Sequence, residues 1–162
     1  MKLKIKSILA ILPLIVLITA CSKTTPAGFW TNYQKDLIAS KVNDQGPWGG
    51  NSEIHWESNS INPFSTKEIL DFAKKNDWQL TDSLVYKNNL IKPFTNFNDK
   101  DYSYRILENF LNKSSSAENY VFVFKTGWIA VEPGNKRETN KNGFIIINSN
   151  GKEFTVYHLW GE

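Results

Sequence analysis

Between Phe29 and Glu162 the apolar positions recur with two different periods. Trp30, Tyr33 and Leu37 share one helical face, with Ile38 beside them and Lys35, Asp36 and Lys41 opposite. This predicts a helix over Trp30–Val42, stopped by Gly46-Pro47. Ser65-Thr66-Lys67-Glu68 fits a capping box, in which a hydroxyl caps the first turn and a glutamate three residues on reaches back. Ile69, Phe72 and Ala73 follow as the buried stripe of a second helix that ends at Asn76-Asp77. A third helix is expected over Tyr102–Leu111, where Ile106, Leu107, Phe110 and Leu111 are apolar and Lys113-Ser114-Ser115-Ser116 closes the run.

The other segments read as strands. Glu53-Ile54-His55-Trp56-Glu57 alternates, with Ile54 and Trp56 on one side and Glu53, His55 and Glu57 on the other. Trp78 opens a strand that runs to about Tyr86, and Asn88–Asp101 reads as loop. Tyr120–Phe124 is apolar throughout, as a strand covered on both faces would be. Trp128–Val131 follows Thr126-Gly127, and Glu132–Asn142, with Pro133-Gly134 inside it, reads as a loop or hairpin tip. Phe144–Ile147 and Phe154–Trp160 are joined through Asn148-Ser149-Asn150-Gly151, where Asn150-Gly151 is a strong hairpin signal. The expected architecture is α+β: about three helices packed on a C-terminal antiparallel β-meander, as a single domain over 29–162.

The first twenty residues follow another pattern. Lys2, Lys4 and Lys6 form a basic start, an apolar stretch runs from Ile8 to Ile18, and small residues lead to Cys21. The stretch is short for a bilayer-spanning helix, which needs roughly 20 apolar residues. Leu17-Ile18-Thr19-Ala20-Cys21 resembles the lipobox of bacterial lipoproteins, with an aliphatic residue three before the cysteine and a small one just before it. The resemblance implies cleavage after Ala20, a diacylglycerol thioether on Cys21 and acylation of the new N-terminus. Residues 1–20 would then be a removed signal, and 21–28 a lipidated cysteine with a polar tether broken by Pro26 and Gly28. Residue Ser22, in place of the aspartate that favours inner-membrane retention in that family, implies the outer membrane. No acidic run follows Cys21, which favours the periplasmic face.

Cleavage changes the charge. The whole chain has 19 basic and 16 acidic side chains, a formal +3. The surplus is Lys2, Lys4 and Lys6, and residues 1–20 hold no acid, so the remainder is neutral. A neutral domain lacks the footprint of nucleic-acid binding and the basic patch that would add affinity for a charged membrane. Cys21 is the only cysteine, so disulfides, a free thiol catalyst and cysteine-held metals are excluded once it carries lipid. Aromatic residues, 14% of the chain, are the material for a core that must stand on packing alone.

Candidate chemistry is sparse. Glu53, His55 and Glu57 could supply acid/base groups on one strand face, although alternating polar residues are also what a half-exposed strand presents to water. His158 shares a face with Phe154, Val156 and Trp160 and is expected to be packed. No nucleophile elbow, phosphate loop, dinucleotide fingerprint or zinc motif is present, and Asn98-Asp99-Lys100-Asp101 lacks the glycine and distal glutamate of a calcium loop. No metal or cofactor is therefore expected. Trp48, inside Gly46-Pro47-Trp48-Gly49-Gly50, is the tryptophan hardest to bury by regular packing, although a tryptophan that plugs its own loop onto the core fits the same residues equally well. With Trp56 and His55 it forms the candidate binding set. The leading expectation is a lipid-anchored, non-catalytic envelope domain that binds another envelope protein or a cell-wall glycan. The alternatives are a hydrolase using His55 with Glu53 or Glu57, and an inhibitor or immunity protein against an exported toxin.

Overall fold

The computed structural model describes residues 27–61, 63–87, 90–93, 102–111 and 118–162, with backbone alone for 90–93. Cys21, the signal segment and most of the tether lie outside the described residues, as does the Lys113–Ser116 closure.

Seven strands form one sheet: β1 (Ile38–Gln45), β2 (Gly49–Glu57), β3 (Gln79–Lys87), β4 (Leu90–Pro93), β5 (Glu118–Val131), β6 (Glu138–Asn148) and β7 (Glu153–Gly161). Their spatial order is β1-β2-β7-β6-β5-β3-β4, and every neighbouring pair is antiparallel. Two helices accompany it, α1 (Thr66–Lys75) and α2 (Tyr102–Leu111).

The α+β class holds, and five of its expected details do not. Trp30–Val42 is not an α-helix: it is two short 3-10 turns, Gly28–Asn32 and Lys35–Leu37, followed by β1. The i, i+3 recurrence of Trp30 and Tyr33 suits a 3-10 turn as well as an α-helix. Gln34, at φ 39°, breaks the run between the turns. The helix count is therefore two among the described residues. The sheet is also not confined to the C-terminal part, because β1 and β2 join its free side through β7. Finally, Tyr120–Phe124 and Trp128–Val131 are one strand, β5, with a bulge between Lys125 and Ala130. The tip expected over Glu132–Asn142 is shorter, since β6 begins at Glu138. Leu90–Pro93, read as loop, pairs with β3.

Alternation along the strands sends apolar side chains to both faces, and each face builds a core. On one face, Trp30, Tyr33, Ile54, Trp56, Phe64, Ile69, Ala73, Trp78, Phe124 and Phe154 pack together under α1 and the N-terminal turns. Trp56 stacks on Phe154 at 4.4 Å and 6°, and its indole N–H donates to the Tyr33 carbonyl at 2.9 Å. On the other face, Leu84, Tyr86, Val121, Val123, Phe144 and Ile146 pack under Ile106, Leu107 and Leu111 of α2. This two-sided cover explains the fully apolar start of β5: Val121 and Val123 face α2, and Phe124 faces α1. The Ser65 hydroxyl accepts from the Glu68 N–H at 3.4 Å, as the capping motif predicts. The Gly151 N–H closes the β6–β7 turn on the Asn148 carbonyl at 2.9 Å.

The two core faces differ in extent. The first reaches across β2 and β7 to the N-terminal turns. On the second, α2 lies over β5 and β6, and the polar side of β1, β2 and β7 is left beside it. At one end of the sheet Gly49 pairs with Gly161, and here glycine is required. A Cβ on Gly49 would strike the Trp160 carbonyl, and one on Gly161, whose φ is +68°, would strike the Trp48 carbonyl.

Candidate binding groove beside the second helix

The strand register lays out the half of the sheet that α2 leaves uncovered. Val42, Glu53 and Tyr157 form one row across β1, β2 and β7, and Ser40, His55 and Thr155 form the next; the rows continue on β6 into Phe144 and Ile146, which α2 covers. Where α2 meets this surface there is a groove of about 270 Å³. Asn51 and Glu53 of β2 and Tyr157 and Leu159 of β7 form its floor and one side. Tyr102, Ile106, Asn109 and Phe110 of α2 form the other. The rings of Phe110 and Tyr157 lie 4.9 Å apart at 34°. The helical period puts Tyr102, Ile106, Asn109 and Phe110 on one side of α2, and the two-residue strand period brings in Asn51 with Glu53 and Tyr157 with Leu159.

Burial, reinforced by the Glu53 carboxylate and by Tyr102, pushes the Tyr157 phenol up to about 12, so it remains a protonated hydrogen-bonding group across the whole physiological range. Burial raises the Tyr102 phenol too, with Glu132 adding to the rise and Arg105 opposing it. Arg105 sits 5.7 Å from the Tyr102 ring centre and pairs with Glu132 at 2.7 Å, away from the groove lining. No lysine or arginine lines the groove, and no described cation pairs with Glu53. It is therefore a mixed aromatic and amide surface with one carboxylate, suited to a neutral or cationic polar ligand and hostile to an anion.

The expected site residues are placed separately. Trp48 stands at the β1–β2 tip, 79% exposed. Trp56 is fully buried in the first core, so it is a packing residue and not part of a surface; strand alternation sends it to the face opposite His55. His55 is on the open face two positions from Glu53. Its Nδ1 lies 2.9 Å from the Thr155 hydroxyl and its Nε2 lies 3.2 Å from Glu57. Hydroxyl, imidazole and carboxylate thus form a chain, but one without an oxyanion partner. β2 and β7 are both interior strands, and their amides are committed to the ladders on either side. Among the described residues no group of three histidine, cysteine or carboxylate side chains gathers to hold a metal. Tyr102, Asn109, Phe110 and Tyr157 carried no local signal. They meet only because α2 crosses the sheet.

His158 is buried, as its apolar neighbours predict. The Thr126 hydroxyl donates to Asn142 Oδ1 at 2.9 Å and lies 3.0 Å from His158 Nε2. The Asn142 amide nitrogen lies 3.4 Å from the same Nε2, so hydroxyl and amide converge on that nitrogen. Nδ1 has no hydrogen-bond partner among the described residues. Burial lowers the His158 pKa to about 3, and the ring stays neutral. It is a packed polar group between Trp78 and Trp160 and does not face the groove.

No protein-family description, characterised protein or solved structure matches the chain.

Proposed function

We propose that this protein is a lipid-anchored, non-catalytic domain of a bacterial envelope, most of all of the outer membrane facing the periplasm, and that it binds a neutral cell-wall glycan in the groove beside α2. The observation that carries the reading is the groove lining. Tyr102, Phe110 and Tyr157 offer ring faces for the apolar face of a sugar, and Asn51, Asn109 and Glu53 offer donors and acceptors for hydroxyl and acetamido groups. The anchor half rests on the order Leu17-Ile18-Thr19-Ala20-Cys21.

A hydrolytic role for Glu53, His55 and Glu57 has less support. The histidine is held on both nitrogens, and among the described residues the strand amides beside it are already paired in the sheet. One experiment separates the two readings. Soluble neutral N-acetylhexosamine oligosaccharides and intact wall polymer are incubated with the full-length protein, with binding followed by calorimetry and cleavage by chromatography. The expected result is binding without cleavage, weakened about tenfold or more in Tyr157→Ala, a change of about 1.4 kcal/mol. Cleavage that disappears in His55→Ala would overturn the binding reading in favour of the hydrolytic one. Absence of both would remove the wall glycan as ligand.

A further inference from the structure

The chain enters the fold at a definite place. Ala27 and Gly28 lie against Lys41, Asn43, Ser52 and Trp160. The 3-10 turns then lead toward Trp56 and Phe154, and β1 returns from Ile38, opposite Trp56, to Gln45, opposite Gly50. Residue 27 therefore lies over the half of β1 and β2 that leads to the end of the sheet at which β1 stops, β2 starts and β7 finishes. Ala130 of β5 pairs with Gly161 at this same end.

The exposed aromatic residues have the same polarity. Of the six tryptophans, Trp30, Trp56, Trp78 and Trp160 are buried. The two that reach the surface are Trp48, 79% exposed, and Trp128, 44% exposed. Trp48 is held at this end by the Glu162 N–H, which donates to its carbonyl at 3.1 Å. Trp128 and its neighbour Ile129, 51% exposed, sit in the β5 bulge just before Ala130. Leu80, also exposed, lies near the start of β3, opposite Phe124 close to the bulge. Tryptophan is the side chain that combines a large apolar ring with an N–H able to face water, which is why it collects at membrane–water boundaries.

We infer that this end of the sheet, through Trp48, Trp128 and Ile129, rests on the lipid surface that holds Cys21. The inference builds on the lipid anchor proposed above. Only five residues separate Cys21 from Ala27. Six extended links span at most ~20 Å, so the anchored lipid lies within reach of this end of the sheet. The neutral charge of the chain beyond residue 20 means that contact depends on the apolar rings and not on anionic headgroups. The tether supplies the proximity, so a small apolar contact is sufficient to orient the domain. The docked end then leaves the α2 groove facing sideways, open to the periplasmic space.

The test uses full-length protein taken from its native membrane and reconstituted into phosphatidylethanolamine–phosphatidylglycerol vesicles. A fraction of the lipids carries bromine close to the headgroup, where it quenches tryptophan at the interface. Flotation and the mass of the Cys21 peptide report the anchor separately. The expected result is quenching in the wild type that is lost in a Trp48→Phe, Trp128→Phe double variant, whose fold is untouched because both rings are exposed. Acylated, floating protein with no more quenching than the double variant overturns the docking and leaves the anchor standing. Protein with an unmodified Cys21 that does not float overturns both.

Discussion

Buried His158 makes stability depend on pH in a calculable way. Its ring is neutral in the fold with a pKa near 3, against an ordinary value of 6.5. The unfolded chain takes up a proton that the folded chain refuses, so stability rises with pH through this window and is fully present above the unfolded value. It falls as the pH drops below 6.5 and levels off near 3. The slope approaches about 1.4 kcal/mol per pH unit, so going from about pH 7 to about pH 4.5 removes roughly 2–3 kcal/mol. That is a large share of the ~5–15 kcal/mol that holds a typical domain. Carboxylates titrate near the lower end of the range, so the informative quantity is a difference. His158→Gln keeps a neutral polar side chain beside the Thr126 hydroxyl and cannot ionise. Urea unfolding of both proteins at the two pH values should show the wild type's advantage over His158→Gln shrinking by roughly 2–3 kcal/mol on acidification. If both proteins lose the same stability, the imidazole is not shielded as described.

Two further outcomes follow from placement. Trp56→Ala should cost about 3–5 kcal/mol, because it empties a site enclosed by Trp30, Tyr33 and Phe154, whereas Trp48→Ala should stay within about 0.5 kcal/mol; paired denaturation curves decide both. Gly161→Ala should cost more than about 2 kcal/mol, because it combines a positive φ with a collision at the Trp48 carbonyl. Gly134→Ala, at φ +69° with open space around it, should cost only about 1 kcal/mol, and thermal melts of the two variants test the difference.

The elements that were legible were those whose side chains carried one period and one set of end signals. Ser65 to Glu68 marked the start of α1 and Asn150-Gly151 marked the β6–β7 turn, because capping and turn geometry are settled within a few residues. Residues 30–42 misled because their aromatic positions satisfy two helix types equally and their β-branched end is claimed by a partner strand, β2. The glycines around Trp48 left both an exposed ring and a ring folded back on the core open, and the structure has it exposed. The burial of Trp56 was implicit in its alternation with His55, but its role depended on Phe154, far along the chain. The groove was not legible at all. Its lining comes from β2, α2 and β7, and the sheet order that unites them is a tertiary result.

The position of β7 sets the order in which the molecule can form. This strand comes last in the chain yet lies between β2 and β6, so His55 and Thr155 touch across the sheet although 100 positions separate them. The β1–β2 hairpin has nothing to join until β7 exists, and an isolated hairpin is marginal in water. Closing so long a loop comes before any reward from pairing, which makes folding slow compared with a helical domain of equal size. A chain with this wiring acquires its sheet in a late, cooperative step, once β7 enters the gap between β2 and β6.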